Sequence, residues 1–321
     1  GSGQGIGRAI AINMAKEGAK VVTNNRRPGS TSATYGEAFL NSLGQERRDW
    51  LIKRSAELTG DAATTAQTIR DMGGEAVPFF GDVSDFDTAG KLIQTAVDNF
   101  GGIHILVNVA GTFGRGFVWE MTEETWDHVN RVKPKSHFNC IRHACPLMIE
   151  QRWGRIINCT SRAWLGVFDS CNYSAANAGV VGLTRAVAME LYQYGITCNA
   201  FAPHAETRAG ANLLIRAKVM EEAGTPIMSK EFLETRAANP LPGPEELAPF
   251  ISYLATDEAA NISGTTFNLR GSAIHLYSEP EIRKTIGKKE GLWTVAELIE
   301  QVPKTLLEGY KNPAAAAQPN K

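Results

Sequence analysis

A glycine-rich turn that runs directly into a helix restricts the fold of this chain more than any other segment. The turn G-S-G-Q-G-I-G occupies residues 1–7, and a helical pattern, R-A-I-A-I-N-M-A-K-E-G, ends at Gly18. A short apolar strand, K-V-V-T-N-N, begins at Lys20. Glycines let the backbone approach a pyrophosphate closely, and free N–H groups at a helix N-terminus favour negative charge. The pattern indicates a dinucleotide site, although a glycine-rich turn without a ligand has the same appearance.

The start of the chain carries one further expectation. A phosphate-binding turn normally follows a strand, whereas here Gly1 has no apolar segment before it. We therefore expect that upstream residues have been trimmed.

The residues after the first strand bear on the choice of cofactor. In dinucleotide folds an acidic residue at this place binds the ribose 2′-hydroxyl, whereas arginine accommodates a 2′-phosphate. The chain has Asn25, Arg26 and Arg27 there and no acid. This favours NADP(H) over NAD(H), with a solvated loop as the alternative role of the two arginines.

Strand and helix patterns alternate through most of the chain. A helix is predicted at residues 62–72, a strand at 75–80, a helix at 87–100 and a strand at 103–111. Alternation of this kind predicts a parallel sheet with helices on both faces, an α/β doubly wound fold. Residues 28–61 are longer than a strand-to-helix connection needs, so we interpret them as an insertion beside the adenosine end of the cofactor.

The stretch from Cys159 to Gly179 carries candidate chemistry. Ser161 follows a predicted strand, Tyr173 lies twelve positions later, and Asn177 follows after four more. In a helix Tyr173 and Asn177 share one face, one turn apart, which suits proton transfer. A phenol titrates near ~10, so it needs a nearby cation to ionise at neutral pH, and Asn177 carries no charge.

A second helix, residues 122–151, is interrupted at Pro134. Proline removes the hydrogen bond to the carbonyl of Asn130 and bends the helix around Lys133. Residues 209–240 are predicted to form a helical lid over the substrate. A capping box at Thr294 predicts a helix in the C-terminal extension, residues 272–321, and the end of that extension is expected to be disordered.

Composition narrows the class of protein. The chain has 321 residues, of which 43% are hydrophobic and 21% charged, with a net charge of −1. We expect no nucleic-acid partner and no membrane span. The five cysteines form no C-x-x-C pair and indicate reduced thiols in a cytoplasmic protein. No His/Cys/Asp cluster has metal-ligand spacing, so no metal is predicted.

Taken together, these residues resemble the short-chain dehydrogenase/reductase family over roughly residues 1–271. The resemblance rests on the order and spacing of several motifs. They are the glycine turn at Gly1, Gly5 and Gly7; Asp82-Val83; N-V-A-G from Asn108 to Gly111; Ser161; Tyr173; and P-H-A-E-T ending at Thr207. Within the family, W-D-H-V-N-R-V near Trp126 and C-N-A-F-A-P-H-A-E-T-R from Cys198 are similar to the branch that includes the 3-hydroxyacyl-CoA dehydrogenase part of peroxisomal multifunctional enzymes.

The resemblance implies a single Rossmann-type domain, residues 1–271, that moves a hydride between NADP(H) and a secondary alcohol or ketone. Tyr173 would act as acid/base, and Ser161 would hydrogen-bond the substrate oxygen. The resemblance also suggests a homotetramer or homodimer built through the two long helices. The implied cofactor contacts are Gly1, Gln4, Gly5, Ile6, Gly7, Asn25, Arg26, Arg27, Asp82, Val83, Asn108, Ala110, Gly111, Pro203 and Thr207.

Two positions depart from the family pattern. The family's Tyr-x-x-x-Lys is here Tyr-x-x-x-Asn, with Asn177 in place of the lysine, and the asparagine expected at the helix bend is Lys133. We hypothesise that the two have been exchanged and that Lys133 supplies the cation for Tyr173. The alternative is a catalytically weak cofactor-binding or regulatory protein on the same fold. Trp164 and Phe168 either shape a substrate wall or simply pack.

Overall fold

The computed structural model describes residues 1–29, 45, 48–49, 60–207, 241–312 and 314. Chain contacts divide the protein into two compact units, residues 1–277 and 278–321. The first unit has helices packed on both faces of a mostly parallel β structure. The second unit contains one described helix, which begins with a capping box between Thr294 and Glu297.

The described elements follow one another in an alternating order. The helices are α1 (Gly5–Lys16), α2 (Ala62–Asp71), α3 (Phe86–Phe100), α4 (Glu123–Asn130), α5 (Ser136–Gln151), α6 (Cys171–Leu191), α7 (Ala248–Tyr253) and α8 (Val295–Lys304). The strands are β1 (Val21–Asn25), β2 (Ala76–Phe80), β3 (Ile105–Asn108), β4 (Gly154–Cys159), β5 (Ile196–His204), β6 (Thr266–Arg270) and β7 (Ala273–Leu276).

The strands form two hydrogen-bonded groups. β1 pairs with β2 in parallel, and β3, β4, β5 and β6 form a second parallel set, to which β7 adds in antiparallel orientation. A largely apolar cavity of about 330 Å³ lies between β1 and β3, with α1 and α3 also contributing to its lining. In the second group Asn108 lies opposite Asn158, and Cys159 lies opposite Phe201. The loops that follow β3, β4 and β5 therefore leave the same edge of the sheet.

Hydrophobic side chains on the two faces of the sheet form separate clusters. Ile156 packs with residues of α3, α5 and α6 on one face, whereas its neighbour Ile157 packs with residues of α1 and α7 on the other. Successive residues of a strand point to opposite faces, so β4, which is buried throughout, contributes to both clusters. This packing fixes the strand that leads to Ser161.

The bend predicted at Pro134 is present as a π-helical turn. Residues Arg131–Lys135 widen the helix between α4 and α5, and Pro134 also packs beside Gly179 of α6. Proline has no N–H to donate, and a wider turn accommodates the missing hydrogen bond without ending the helix. Lys133 lies inside this turn and is buried.

The predicted α/β doubly wound, Rossmann-type fold is confirmed. Strand β7 was not predicted: it lies within residues assigned by sequence to the extension, yet it pairs with β6. Most of the 28–61 insertion and all of the 209–240 lid lie outside the described residues. Within the described part of the chain, no helix is long and apolar enough to cross a membrane.

Candidate active site

The glycine turn lies so close to neighbouring atoms that side chains at Gly3 and Gly7 would have no room. A Cβ at Gly7 would lie 2.1 Å from the carbonyl oxygen of Gly1, and a Cβ at Gly3 would lie 1.6 Å from Asn25 Oδ1. Gly5 begins α1 with a positive φ of 54°, and a Cβ there would face Thr207. The first N–H groups of α1 follow directly, with Gln4 as N-cap and Ile6 in the first turn. This cradle fits the pyrophosphate of a dinucleotide.

Three predicted cofactor residues lie at the carboxyl end of β1. Asn25 is the last residue of the strand, and its buried Oδ1 has no hydrogen-bond partner among the described residues. Arg26 and Arg27 follow it, and both are exposed. An orphaned buried acceptor beside the glycine turn, followed by two exposed guanidinium groups, fits the polar adenosine end of such a cofactor.

The other predicted cofactor residues lie at the ends of later strands. Val83 is buried after β2, and Asp82 Oδ1 accepts a hydrogen bond of 2.9 Å from the Ser84 amide. Asn108 ends β3 and donates to Asn158 Oδ1 at 3.0 Å. The remaining contacts predicted from sequence follow β3 or belong to the end of β5 and the residues after it: Ala110, Gly111, Pro203 and Thr207.

The structure brings the side chains of Ser161 and Tyr173 together. Ser161 follows β4 and is the N-cap of a short 3₁₀ turn, where its Oγ accepts a hydrogen bond of 3.2 Å from the Ala163 amide. Tyr173 lies in the first turn of α6. Part of its ring is exposed, but the phenol oxygen is enclosed, and burial raises the pKa of Tyr173 to about 12. Hydrogen bonding with Ser161 and Asn177 acts in the opposite direction without offsetting burial.

Asn177 is fully buried one helical turn after Tyr173. Its Nδ2 donates to the backbone carbonyl of Tyr173 at 2.8 Å, and its own carbonyl accepts from Thr160 Oγ1 at 2.9 Å. The contact with Thr160 joins the start of α6 to the end of β4 through the backbone of Asn177. The side chain of Asn177 bonds within α6, to the carbonyl of Tyr173.

Lys133 is buried, with 3% of its surface exposed. Its Nζ donates to the backbone carbonyl of Cys159 at 2.5 Å, and a Cβ added to Gly111 would lie 3.4 Å from that nitrogen. Among the residues that the structure describes, Lys133 has no carboxylate partner and no hydrogen bond to Tyr173. Burial lowers the pKa of Lys133 below its ordinary value, because desolvation disfavours the ammonium.

His137 shares the environment of Lys133. Its Nδ1 lies 2.7 Å from the Lys133 carbonyl, and its Nε2 lies 3.3 Å from the Cys159 carbonyl that also accepts from Lys133. Burial, together with the positive charge of Lys133, lowers the pKa of His137 to about 3. The buried lysine therefore has a neutral imidazole as its neighbour.

Sequence reasoning missed three residues of this site. Thr160 and His137 are ordinary strand-end and helix residues by pattern, and only their contacts reveal them. Phe113 stacks on Tyr173, with ring centroids 4.7 Å apart and an interplanar angle of 30°. The position of Phe113 after the N-V-A-G motif was the one available signal, because that loop leaves the same sheet edge as Ser161.

The chain is similar in sequence and in structure to known short chain dehydrogenases. A sequence model of the short chain dehydrogenase family matches residues 32–213. A 3-oxoacyl-[acyl-carrier-protein] reductase of Synechocystis is 34% identical over 277 residues, which are 85% of this chain and 94% of that protein. A peroxisomal multifunctional enzyme type 2 of Drosophila melanogaster is 35% identical over 67% of this chain and 32% of its own length. A crystal structure of a short chain dehydrogenase from Mycobacterium avium superposes with a TM-score of 0.73 at 33% identity, covering 98% of this chain and 94% of that one.

Proposed function

Because the chain belongs to the short-chain dehydrogenase/reductase family, a family of NAD(P)-dependent oxidoreductases, we propose that it transfers a hydride between NADP(H) and a secondary alcohol or ketone. The observation that carries the proposal is the Ser161–Tyr173 hydroxyl pair. The pair lies at the sheet edge where the carboxyl ends of β3, β4 and β5 meet. A Cβ at Gly111 would lie 3.4 Å from Lys133 Nζ, and a Cβ at Gly1 would contact Ala110, so Lys133 and the glycine turn both lie beside the loop after β3.

Tyr173 is proposed to exchange a proton with the substrate oxygen. In the reducing direction the phenol donates its proton to the ketone oxygen, and in the oxidising direction the phenolate accepts the proton of the alcohol. Ser161 donates a hydrogen bond to the same oxygen and holds it near the phenol. When bound, the nicotinamide supplies or accepts the hydride. Acid/base catalysis by such a positioned group contributes about 10²- to 10⁴-fold in rate.

Lys133 is proposed to supply the positive charge that Asn177 lacks. The Lys133 ammonium binds the carbonyl of Cys159, two residues before Ser161, so its charge lies at the end of β4 that leads to the hydroxyl pair. A buried cation near a phenol favours the phenolate and can lower its pKa by about 1 to 3 units. In the structure burial raises the pKa of Tyr173 to about 12 with Lys133 in place, and the groups that lower it are Ser161 and Asn177. The exchanged pair is proposed to divide two tasks, since Lys133 carries charge and Asn177 carries structure.

The cofactor, the domain bounds, the substrate and the assembly are also proposed. Arg26 and Arg27 support NADP(H), because both are exposed, both directly follow β1, and no acidic residue occupies this position. The dinucleotide-binding domain is proposed to span residues 1–271, followed by a C-terminal extension from 272. A hydroxyacyl thioester or a cyclic alcohol is proposed as substrate, in a cytoplasmic homodimer or homotetramer. The name of the Synechocystis relative, a reductase of a 3-oxoacyl group, supports the first substrate.

Turnover of three variants tests the catalytic proposal. Tyr173→Phe removes the exchangeable proton and is expected to lower kcat by about 10²- to 10⁴-fold. Lys133→Met is expected to lower kcat for alcohol oxidation by at least about 100-fold near neutral pH and to shift the ascending limb of its pH profile to higher pH, because the phenolate that accepts the alcohol proton loses its cation. Lys135→Met is the matched control, since Lys135 belongs to the same π-helical turn but is exposed.

Unchanged turnover and pH profile in Lys133→Met, with Tyr173→Phe inactive, would show that Lys133 is not the cation. Tight cofactor binding by the unaltered chain, without turnover of any alcohol or ketone, would favour the weak cofactor-binding alternative. The observation in its favour is the high pKa of Tyr173.

Fluorescence titration with NADPH and NADH tests the cofactor proposal. The Arg26→Ala/Arg27→Ala double variant is expected to raise the Kd for NADPH by about 10- to 100-fold, because charge-assisted hydrogen bonds are worth about 1.5–3 kcal/mol. The Kd for NADH is expected to change by less than about 3-fold. A preference of the unaltered chain for NADH would contradict the proposal.

A further inference from the structure

Two loops that flank Tyr173 are joined to each other. One follows β3 and the other follows β4, and a parallel bridge between Gly116 and Ser170 connects them. The amide of Gly116 donates to the Asp169 carbonyl at 2.9 Å, and Arg115 Nη1 lies 3.0 Å from Asp169 Oδ2. The loops therefore act as one surface beside the phenol.

The loop after β3 also packs against α4 and α6. Gly114 is buried, and a Cβ there would lie 2.3 Å from Asn172 Nδ2 and 2.8 Å from Val129 Cγ2. The absence of a side chain lets the loop pack directly on α4 and α6. Phe113, the residue before this anchor, is held with its ring on that of Tyr173.

Four aromatic rings on these loops form a surface that we call the aromatic clasp: Phe113, Phe117, Trp119 and Phe168. Phe117 and Trp119 stack in parallel, with centroids 4.6 Å apart and an interplanar angle of 3°. Phe168, from the other loop, meets Phe117 edge to face at 5.3 Å. These are the favoured geometries of aromatic pairs, so Phe117, Trp119 and Phe168 fix one another in place, whereas Phe113 is fixed by its stacking on Tyr173.

The clasp leaves much apolar area open to solvent. Phe113 is 64% exposed, Trp119 75% and Phe168 56%, and the neighbouring Val118 and Leu165 are also exposed. Surface apolar residues scattered singly need no explanation, whereas a contiguous patch of large ones marks a binding surface. Arg115 and Asp169, one on each loop, form an ion pair with each other.

We propose that the aromatic clasp binds the planar apolar part of the substrate, so that the preferred substrate is an aryl or fused-ring secondary alcohol or ketone. The inference rests on the proposed function, because it takes Tyr173 as the group that exchanges a proton with the substrate. Phe113 covers one face of the Tyr173 ring, which brings any ring stacked on Phe113 close to the phenol. A planar group directly attached to the reacting carbon satisfies both contacts at once.

The flat faces of the aromatic rings in the clasp favour a planar substrate over a flexible one. A stacked aromatic pair contributes beyond the area that it buries, whereas a saturated chain or ring gains from burial alone. The clasp offers rings already fixed by stacking and by the anchor at Gly114. It therefore gains most from a rigid, flat partner, which loses little conformational freedom on binding.

Two ketones of equal ring size test the inference. Acetophenone and cyclohexyl methyl ketone share the reacting carbonyl and differ in the planarity of the ring. We expect a higher kcat/KM for acetophenone with the unaltered chain. Phe113→Leu and Phe168→Leu are expected to lower kcat/KM for acetophenone by about 3- to 10-fold and to lower it for cyclohexyl methyl ketone by less than half that factor. Tyr253→Leu, which removes an exposed ring stacked on Phe250 of α7, is the control.

The outcomes separate the inference from the function on which it rests. Equal kcat/KM for the two ketones, or equal losses in Phe113→Leu, would overturn the clasp as an aryl site while the dehydrogenase function stands. Reduction of a 3-oxoacyl thioester but of neither ketone would do the same. Failure to turn over all three substrates would overturn the function and the inference together. A changed oligomeric state of Phe168→Leu on size exclusion, with unchanged ketone preference, would identify the clasp as a subunit contact and reject the proposal.

Discussion

Two buried cations lie at opposite ends of strand β4, and their surroundings differ. At the amino end Arg155 is 2% exposed and donates to the carbonyls of Gly154, Gly195 and Thr256. It also reaches Asp257 at 3.2 Å and lies 4.3 Å above the Trp153 ring. At the carboxyl end Lys133 is 3% exposed and has the Cys159 carbonyl as its acceptor.

The difference separates a structural cation from a candidate functional one. Arg155 has acceptors for most of its donors and a carboxylate for its charge, so its burial is largely compensated. The Lys133 ammonium has three donors and one acceptor among the described residues. Burial lowers its pKa, because desolvation disfavours the charged form. Groups kept in such costly surroundings concentrate at functional sites.

Removing Arg155 is expected to have the largest effect on stability. Arg155→Ala removes the side-chain donor to the carbonyls of Gly154, Gly195 and Thr256 and should lower the free energy of unfolding by about 3–5 kcal/mol. Urea denaturation followed by circular dichroism measures this loss. Asp257→Asn is the graded control, expected to cost less than about 1 kcal/mol because the Asp257 carboxylate is exposed. A loss below about 1 kcal/mol in Arg155→Ala would show that the amino end does not depend on the arginine.

Acid is expected to destabilise the Lys133 end through His137. The pKa of His137 is about 3 in the folded protein and 6.5 in its ordinary state. Between these values the unfolded chain binds more protons, so stability is lost as the pH falls through this window, by up to about 1.4 kcal/mol per pH unit. Urea unfolding at several pH values should give a shallower pH dependence for His137→Gln. The exposed His275→Gln should retain the full slope, and identical slopes in all three proteins would contradict the prediction.

Replacing Lys133 is expected to have the smallest effect on stability. Lys133→Met removes a desolvated charge and keeps an apolar stem, so the free energy of unfolding should stay within about 1 kcal/mol of the original or rise. The Cys159 carbonyl retains His137 Nε2 as a neighbour. The same denaturation assay applies, and a loss as large as that of Arg155→Ala would make Lys133 a structural residue. The contrast with its expected loss of turnover is what distinguishes the two ends of β4.

Local patterns in the sequence were sufficient for much of the candidate site. The glycine turn predicted the start of α1, and the spacing of Tyr173 and Asn177 predicted side chains one turn apart, as the Asn177 hydrogen bond to the Tyr173 carbonyl shows. The hydrophobic pattern and the alternating order of strands and helices predicted the parallel strands, because a strand that is buried on both faces is a continuous apolar run in the sequence. Strand β7 escaped prediction because all four of its residues are exposed and carry no such run.

Residues that act through distant contacts were not predictable in the same way. The sequence predicted a bend at Pro134 but not its form. A π-helical turn and a simple kink both accommodate a proline that cannot donate a backbone hydrogen bond, and the structure has the π-helical turn. Phe113 and Phe117 are unremarkable loop residues until the bridge between Gly116 and Ser170 joins their loop to that of Phe168. The distance between the two loops is a property of the sheet and not of either segment.

By itself the sequence determined the order of strands and helices, and hence which loops leave the carboxyl edge where Ser161 and Tyr173 meet. It also showed that the charge missing at Asn177 had one candidate replacement in Lys133. Only the tertiary structure decided where that charge lies. A lysine side chain is long and flexible, so its acceptor and its desolvation depend on what packs around it. Here the end of β4, with Gly111 and His137 of α5 nearby, receives the ammonium at the Cys159 carbonyl, a contact across 26 residues that no local pattern encodes.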